Sequence, residues 1–232
     1  MTMANTVDGE KAFEENRDAH IFSKYGGRIL FGFVVLCYLG LTFITNHYVF
    51  KEDIYLRSYA DQLSFQGIEA LMDIKQRFWW TSYLVLPFIV LLKIGFSTIC
   101  ISIGAVLSNV EFKFKSLLKA ALVAEVIFIL GQIIYIVNIS LHLDAVTLQT
   151  ASNYYPLTAL SFWGTQNVTS WLRYPLQTLN LFEVGYVLVL SWLISQKWKP
   201  DFVESLSVVF PSYATGLILW LALVVFLTLQ VS

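Results

Sequence analysis

Three ionisable side chains stand inside long apolar runs of this chain: Lys93, Glu125 and Glu183. An ionised group at the centre of a membrane helix costs on the order of 2.5–3.5 kcal/mol on insertion scales, so each needs a partner or a task. At about 1.5 Å of rise per residue, Lys93 and Glu183 reach similar mid-membrane depths, and Glu125 falls nearer the cytoplasmic end of its run. The spacing predicts a Lys93–Glu183 ion pair with Asn180 and Gln132 as polar neighbours. Two chemistries suit such a set. The groups satisfy one another and fix helix register, or they line a path for a proton or a small solute. Glu125 has a third option, snorkelling to the interface.

Catalytic chemistry has no comparable carrier. The chain contains no HExxH, GxSxG, P-loop or GxGxxG pattern. His20, His47 and His142 fall on or near the ends of the apolar runs and far apart, which suits interfacial residues better than metal ligands. Cys37 and Cys100 lie inside apolar runs with no CxxC and no zinc spacing, and are expected as small core hydrophobes. No catalytic residue, metal or cofactor is expected. A net charge of −1 offers no basic patch for nucleic acid.

The elements that must position the three charges are membrane spans. Of 232 residues, 57% are hydrophobic and 13% charged, where a soluble domain is nearer half and a quarter. An apolar helix needs roughly 20 residues to cross a bilayer. Five runs meet that length, at about 29–50, 79–107, 117–139, 174–195 and 206–229. The expected fold is all-α: a polar tail over 1–28, then a single five-helix membrane domain over 29–232 with an added interfacial helix. The second and third runs, Phe78–Leu107 and Leu117–Ser140, are joined by the short elbow SNVEFKFKS and must be antiparallel neighbours. Ala120, Ala121 and Ala124, and the pair Ser212 and Gly216, form small-residue stripes that suit close helix approach.

Outside the spans, LSFQGIEALMDIKQR places Ile68, Leu71 and Ile74 on one helical face, predicting a helix at the membrane surface or a docking helix for a partner. Trp79, Trp80 and Tyr83 then mark headgroup level. Leu141–Arg173 is rich in aromatics and nearly free of charge, so short helices or a re-entrant piece packed on the bundle are expected. Asn167-Val168-Thr169 fits the glycosylation sequon. The tail is expected to be retained, with a short juxtamembrane helix expected over Ala12–Tyr25. Lys11, Arg17, Lys24, Arg28, Lys113, Lys115, Lys119, Lys197 and Lys199 share one side, against Lys51, Arg57, Lys75, Arg77 and Arg173 on the other. Nine against five favours a cytoplasmic amino terminus and an external carboxyl terminus.

Five spans, a polar tail, the basic elbow Lys113–Lys119 before an alanine-rich span, and a last span opening FPSYATGLILW resemble the Yip1 family over roughly Phe78–Leu229. The chain is also similar to uncharacterised bacterial membrane proteins of this type. The resemblance implies a non-enzymatic protein of the plasma (inner) membrane. It would act in the lipid bilayer through a protein partner or as a homo-oligomer, as a scaffold or accessory subunit in trafficking, export or envelope organisation. The alternative is a small transporter or permease subunit with a polar path through Lys93, Glu125 and Glu183. A scaffold buries these charges in closed pairs, whereas a transporter has a cavity that reaches them.

Overall fold

The computed structural model describes residues 26–59, 63–110, 112–142, 147–154, 156–163, 168–198 and 201–231. The polar tail with its expected helix over Ala12–Tyr25, Asn167 of the sequon, and the Lys199-Pro200 turn lie outside the described residues. Among the described residues the secondary structure is helical, with a single isolated bridge between Thr158 and Asn180.

Four helices are long and apolar enough to cross a membrane, with mean hydropathies of 2.0 to 2.3. The first, α1 (Gly27–Ile44), continues through a π turn at Thr45–Val49. After α2 (Glu52–Tyr59) and α3 (Phe65–Arg77) comes α4 (Trp79–Leu107). Next, α5 (Phe114–Ala124) and α6 (Val126–Leu141) form one path with a loosened turn at Glu125, where the Ile129 amide still donates to the Glu125 carbonyl. The short helices α7 (Leu148–Asn153), α8 (Ala159–Trp163) and α9 (Ser170–Thr178) lead to α10 (Leu181–Trp198) and α11 (Phe202–Val231).

Each boundary has a local cause. α4 stops because Asn109 adopts a left-handed φ of 54°, which lets the Val110 amide reach the Ala105 carbonyl and the Asn109 amide reach Val106. Asparagine tolerates that conformation, and the two bonds satisfy carbonyls that the helix end would orphan. The new helix begins at Phe114, three residues before the expected Leu117. α3 forms as the periodicity predicts, capped by the Ser64 hydroxyl accepting from the Gly67 amide. Only Ile68 of its apolar face is buried; Leu71 and Ile74 stay exposed.

Over the expected fourth run, 174–195, the structure has two helices in place of one. The helix is broken at Leu179–Asn180, so α9 and α10 are separate, and α10 is an 18-residue helix carrying Glu183 and Lys197. It is not among the four helices that qualify by length and composition. The expectation of short helices between the third and fourth runs is met by α7, α8 and α9.

Helices α4, α5, α10 and α11 pack in a ring, each against the next, with α1 lying across α4, α5 and α6. The shared core includes Ile94, Ile101, Leu117, Ala121, Tyr186, Leu190 and Val209. Ala120, Ala121 and Ala124 are all buried there, as the small-residue stripe predicts. The end of the bundle opposite the elbow carries a cap. Val49, Ile54, Ile139 and Ala151 form its core, and the Tyr135 hydroxyl donates to the Ala151 carbonyl at 3.0 Å. Lys75 ties α3 into this cap by donating to the Phe50 carbonyl at 2.7 Å beneath the Tyr55 ring. Burial there pushes the Lys75 ammonium below the ordinary lysine range.

Candidate functional site

The ionisable groups collect at the middles of the long helices. Lys93 lies 14 residues from either end of α4. Tyr38 lies 11 residues from either end of Gly27–Val49. Glu125 is 11 residues into Phe114–Leu141, and Tyr213 is 11 residues into α11. These positions put one layer of polar side chains about 16–21 Å in from the helix ends.

Within that layer the lysine has a different partner from the expected one. Lys93 Nζ lies 3.1 Å from Glu125 Oε2, and no Lys93–Glu183 ion pair forms among the described residues. The same carboxylate oxygen accepts from the Tyr38 hydroxyl at 2.9 Å. The ammonium also sits 3.2 Å from the centroid of the Phe128 ring, a cation–π contact one helical turn beyond Glu125. Glu125 itself has no exposed surface, so snorkelling is excluded and the group is sealed inside the bundle. The earlier start of α5 is the reason: it sets Glu125 three residues deeper, roughly 4.5 Å, than a helix beginning at Leu117 would.

Glu183 is engaged separately. Tyr213 donates its hydroxyl to Glu183 Oε2, joining α11 to α10. Tyr186, three residues on and fully buried, packs at a tilt against both Phe128 and Tyr213, at ring separations of 5.1 and 5.3 Å. The Ser97 hydroxyl lies beside that of Tyr186 and donates to the Lys93 carbonyl at 3.0 Å.

Asn180 is not a neighbour of an ion pair; it builds the break. Its side-chain oxygen accepts from the Glu183 amide at 2.8 Å, capping α10. Its side-chain nitrogen donates to the Gln177 and Thr178 carbonyls at the end of α9. The remaining backbone groups are met by a returning strand-like turn: Ala159 N–H donates to Leu179 O, and Leu181 N–H to Leu157 O. Leu157 holds a left-handed φ of 59° to do so, a conformation costing a leucine about 1–2 kcal/mol. Much of the backbone at the interruption thus has a partner, which is what irregular backbone needs in an apolar setting. Asn180→Ala should therefore cost about 1–2 kcal/mol, read as a lower thermal midpoint of the purified protein, whereas Gln132→Ala should leave the midpoint unchanged. Among the described residues the carboxylates of Glu125 and Glu183 accept from Tyr38, Lys93 and Tyr213 and not from Gln132, which lies on α6.

A cavity of about 550 Å³ opens on this layer between α4, α9, α10 and α11. Lys93, Ser97, Thr178, Glu183 and Tyr213 supply its polar floor. Its walls are apolar and largely aromatic, including Phe88, Phe96, Tyr174 and Trp220. The Trp220 indole N–H donates to the Tyr174 hydroxyl at 3.0 Å, tying α11 to α9 beside the cavity. One flank is open, because Phe88, Ile89 and Leu92 remain 60–67% exposed on the outer face of the bundle. The volume falls within the range of small-ligand sites.

Residue types alone brought Lys93, Glu125 and Glu183 to notice but left out Tyr38, Ser97, Tyr186 and Tyr213. A signal for part of this was present. Lys93, Ser97, Cys100 and Gly104 recur at helical spacing and mark one face of α4, and Tyr186 follows Glu183 by three. The described residues hold no group of three or more histidine, cysteine or acidic side chains placed to bind a metal. His47 stacks instead on Phe43 and meets Tyr48 edge-on. No family model, no curated protein and no solved structure matches the chain.

Proposed function

We propose that the chain is an integral membrane protein of five spans, with the broken helix Leu181–Trp198 as the fourth, and that it carries a small amphiphilic solute as a transporter or permease subunit. The observation that supports this most is the cavity reaching Lys93 and Glu183 at the level of the helix midpoints. A discontinuous helix bordering such a cavity adds to it, since interrupted spans recur where transporters bind their substrates. The scaffold reading retains one support, the closed Lys93–Glu125 pair, but it leaves Glu183 and the open flank without a role. On this reading α3 lies at the membrane surface with Leu71 and Ile74 in the lipid. The amino terminus is cytoplasmic, and the cap faces the outside of a bacterial inner membrane.

Cys100 lines the cavity and offers a direct test. With Cys37 replaced by alanine, Cys100 should react with a membrane-impermeant, positively charged methanethiosulfonate reagent added from one side of sealed vesicles. Complete protection from both sides would remove the carrier reading and return weight to a closed scaffold.

A further inference from the structure

We infer that the cavity binds a lipophilic organic cation, with Glu183 as its counter-charge; this rests on the carrier reading above. Charge balance in the central layer decides the sign of the ligand. Lys93 and Glu125 neutralise each other across 3.1 Å. Among the described residues Glu183 forms no ion pair within 4 Å; its carboxylate accepts from the Tyr213 hydroxyl, and Lys93, already paired with Glu125, is the other charged group on the cavity floor. The layer therefore contains one more acid than base, and a desolvated carboxyl group is met either by a proton or by a compensating cation. A monovalent cation brings the layer to zero. An anion on Lys93 would double the imbalance and compete with Glu125, and a zwitterion would leave it unchanged.

The walls select for the same ligand. Five of the cavity's lining side chains are aromatic: Phe88, Phe96, Tyr174, Tyr213 and Trp220. Ring faces attract a cation electrostatically, and the attraction grows when water is excluded. Strongly hydrated inorganic ions would lose their water against such walls without replacing it, so a cation whose charge is already wrapped in hydrocarbon fits best. The open flank beside Phe88 and Ile89 gives it access from a lipid phase.

Tetraphenylphosphonium and tetraphenylborate have nearly the same shape and opposite charge, so the pair isolates sign from size. Binding is measured with the full chain in lipid nanodiscs as saturable quenching of tryptophan fluorescence, with Trp220→Phe as background. The phosphonium should bind at least about tenfold more tightly than the borate. Glu183→Gln should weaken phosphonium binding by about tenfold or more, and Glu183→Asp should retain most of it. Should Glu183→Gln fail to fold, the contrast between the two probes on the unaltered protein decides alone. Equal binding of both probes, or a preference for the borate, overturns the cation assignment while leaving the cavity as a site for amphiphiles. Absence of saturable binding by either probe also overturns it; Cys100 labelling then tells whether the carrier reading falls as well.

Discussion

Replacing Lys93 with methionine should destabilise the protein by about 3–5 kcal/mol, the cost of stranding one member of a buried ion pair. The methionine fills the lysine's volume, so the loss reports the charge. Glu125 would then keep a bare carboxylate with no exposed surface and only the Tyr38 hydroxyl against it. The reverse substitution, Glu125→Gln, should cost less, about 1–3 kcal/mol. Lys93 is 36% exposed toward the cavity and can turn its ammonium outward, and glutamine still accepts from Tyr38. Lys93→Met combined with Glu125→Gln removes both charges and should recover most of the loss. Thermal midpoints of the monodisperse protein in mild detergent, combined in a double-mutant cycle, give the coupling. A coupling near zero for Lys93 with Glu125 would contradict the pairing. The cycle of Lys93 with Glu183 should show a smaller coupling than that of Lys93 with Glu125, because the two groups share the cavity but form no ion pair.

How far the sequence reaches is best seen in these same residues. Apolar run lengths located the four long helices to within a few residues, because composition over some 20 positions dominates any local exception. The three charges were conspicuous for the converse reason: each is an exception inside such a run. Their pairing was not legible. Depth along a helix depends on where the helix starts, and a start at Phe114 in place of Leu117 changes the depth of Glu125 by three residues, nearly one turn. Nor does depth specify which helices are neighbours. Glu125 meets Lys93 because α5 follows α4 directly around the ring, while Glu183 sits on α10, whose contacts run to α5, α6 and α11. The break at Asn180 was hidden by the apolar character of the residues on either side of it. Only the asparagine's ability to serve two helix ends at once, together with a partner segment some 20 residues earlier in the chain, makes the interruption stable.

The small residues on α4 and α11 lead to the second large effect. The two helices run antiparallel, and an added Cβ at Gly104 would lie 2.7 Å from the Cβ of Ser212. One at Gly216 would lie 2.5 Å from Cys100 Sγ and 3.2 Å from its Cβ. In an apolar medium, helix association depends on such close packing more than on burial of apolar area, so these contacts carry much of the pairing. Gly104→Ala should be the more harmful of the two, costing about 3 kcal/mol, the upper range for overpacking, because a Cβ cannot rotate away and the backbones must part. Gly216→Ala should cost about 1–2 kcal/mol, since the cysteine sulfur can turn aside. Ser212→Gly should rescue Gly104→Ala, less about 1 kcal/mol for a glycine within a helix. Cys100→Ala should rescue Gly216→Ala only in part, because it removes the sulfur and leaves the Cβ. Thermal midpoints of the four single and two double variants test this order, and equal effects at the two glycines would contradict it. The crossing also shapes the site. Tight contact at Gly104 and Gly216 holds the elbow halves of α4 and α11 together, and next to this crossing Cys100, Phe96 and Trp220 of the same two helices line the cavity. Separating them at the crossing should therefore raise the reactivity of Cys100 in Gly104→Ala above that of the unaltered protein, and unchanged labelling would show that the cavity does not depend on this contact.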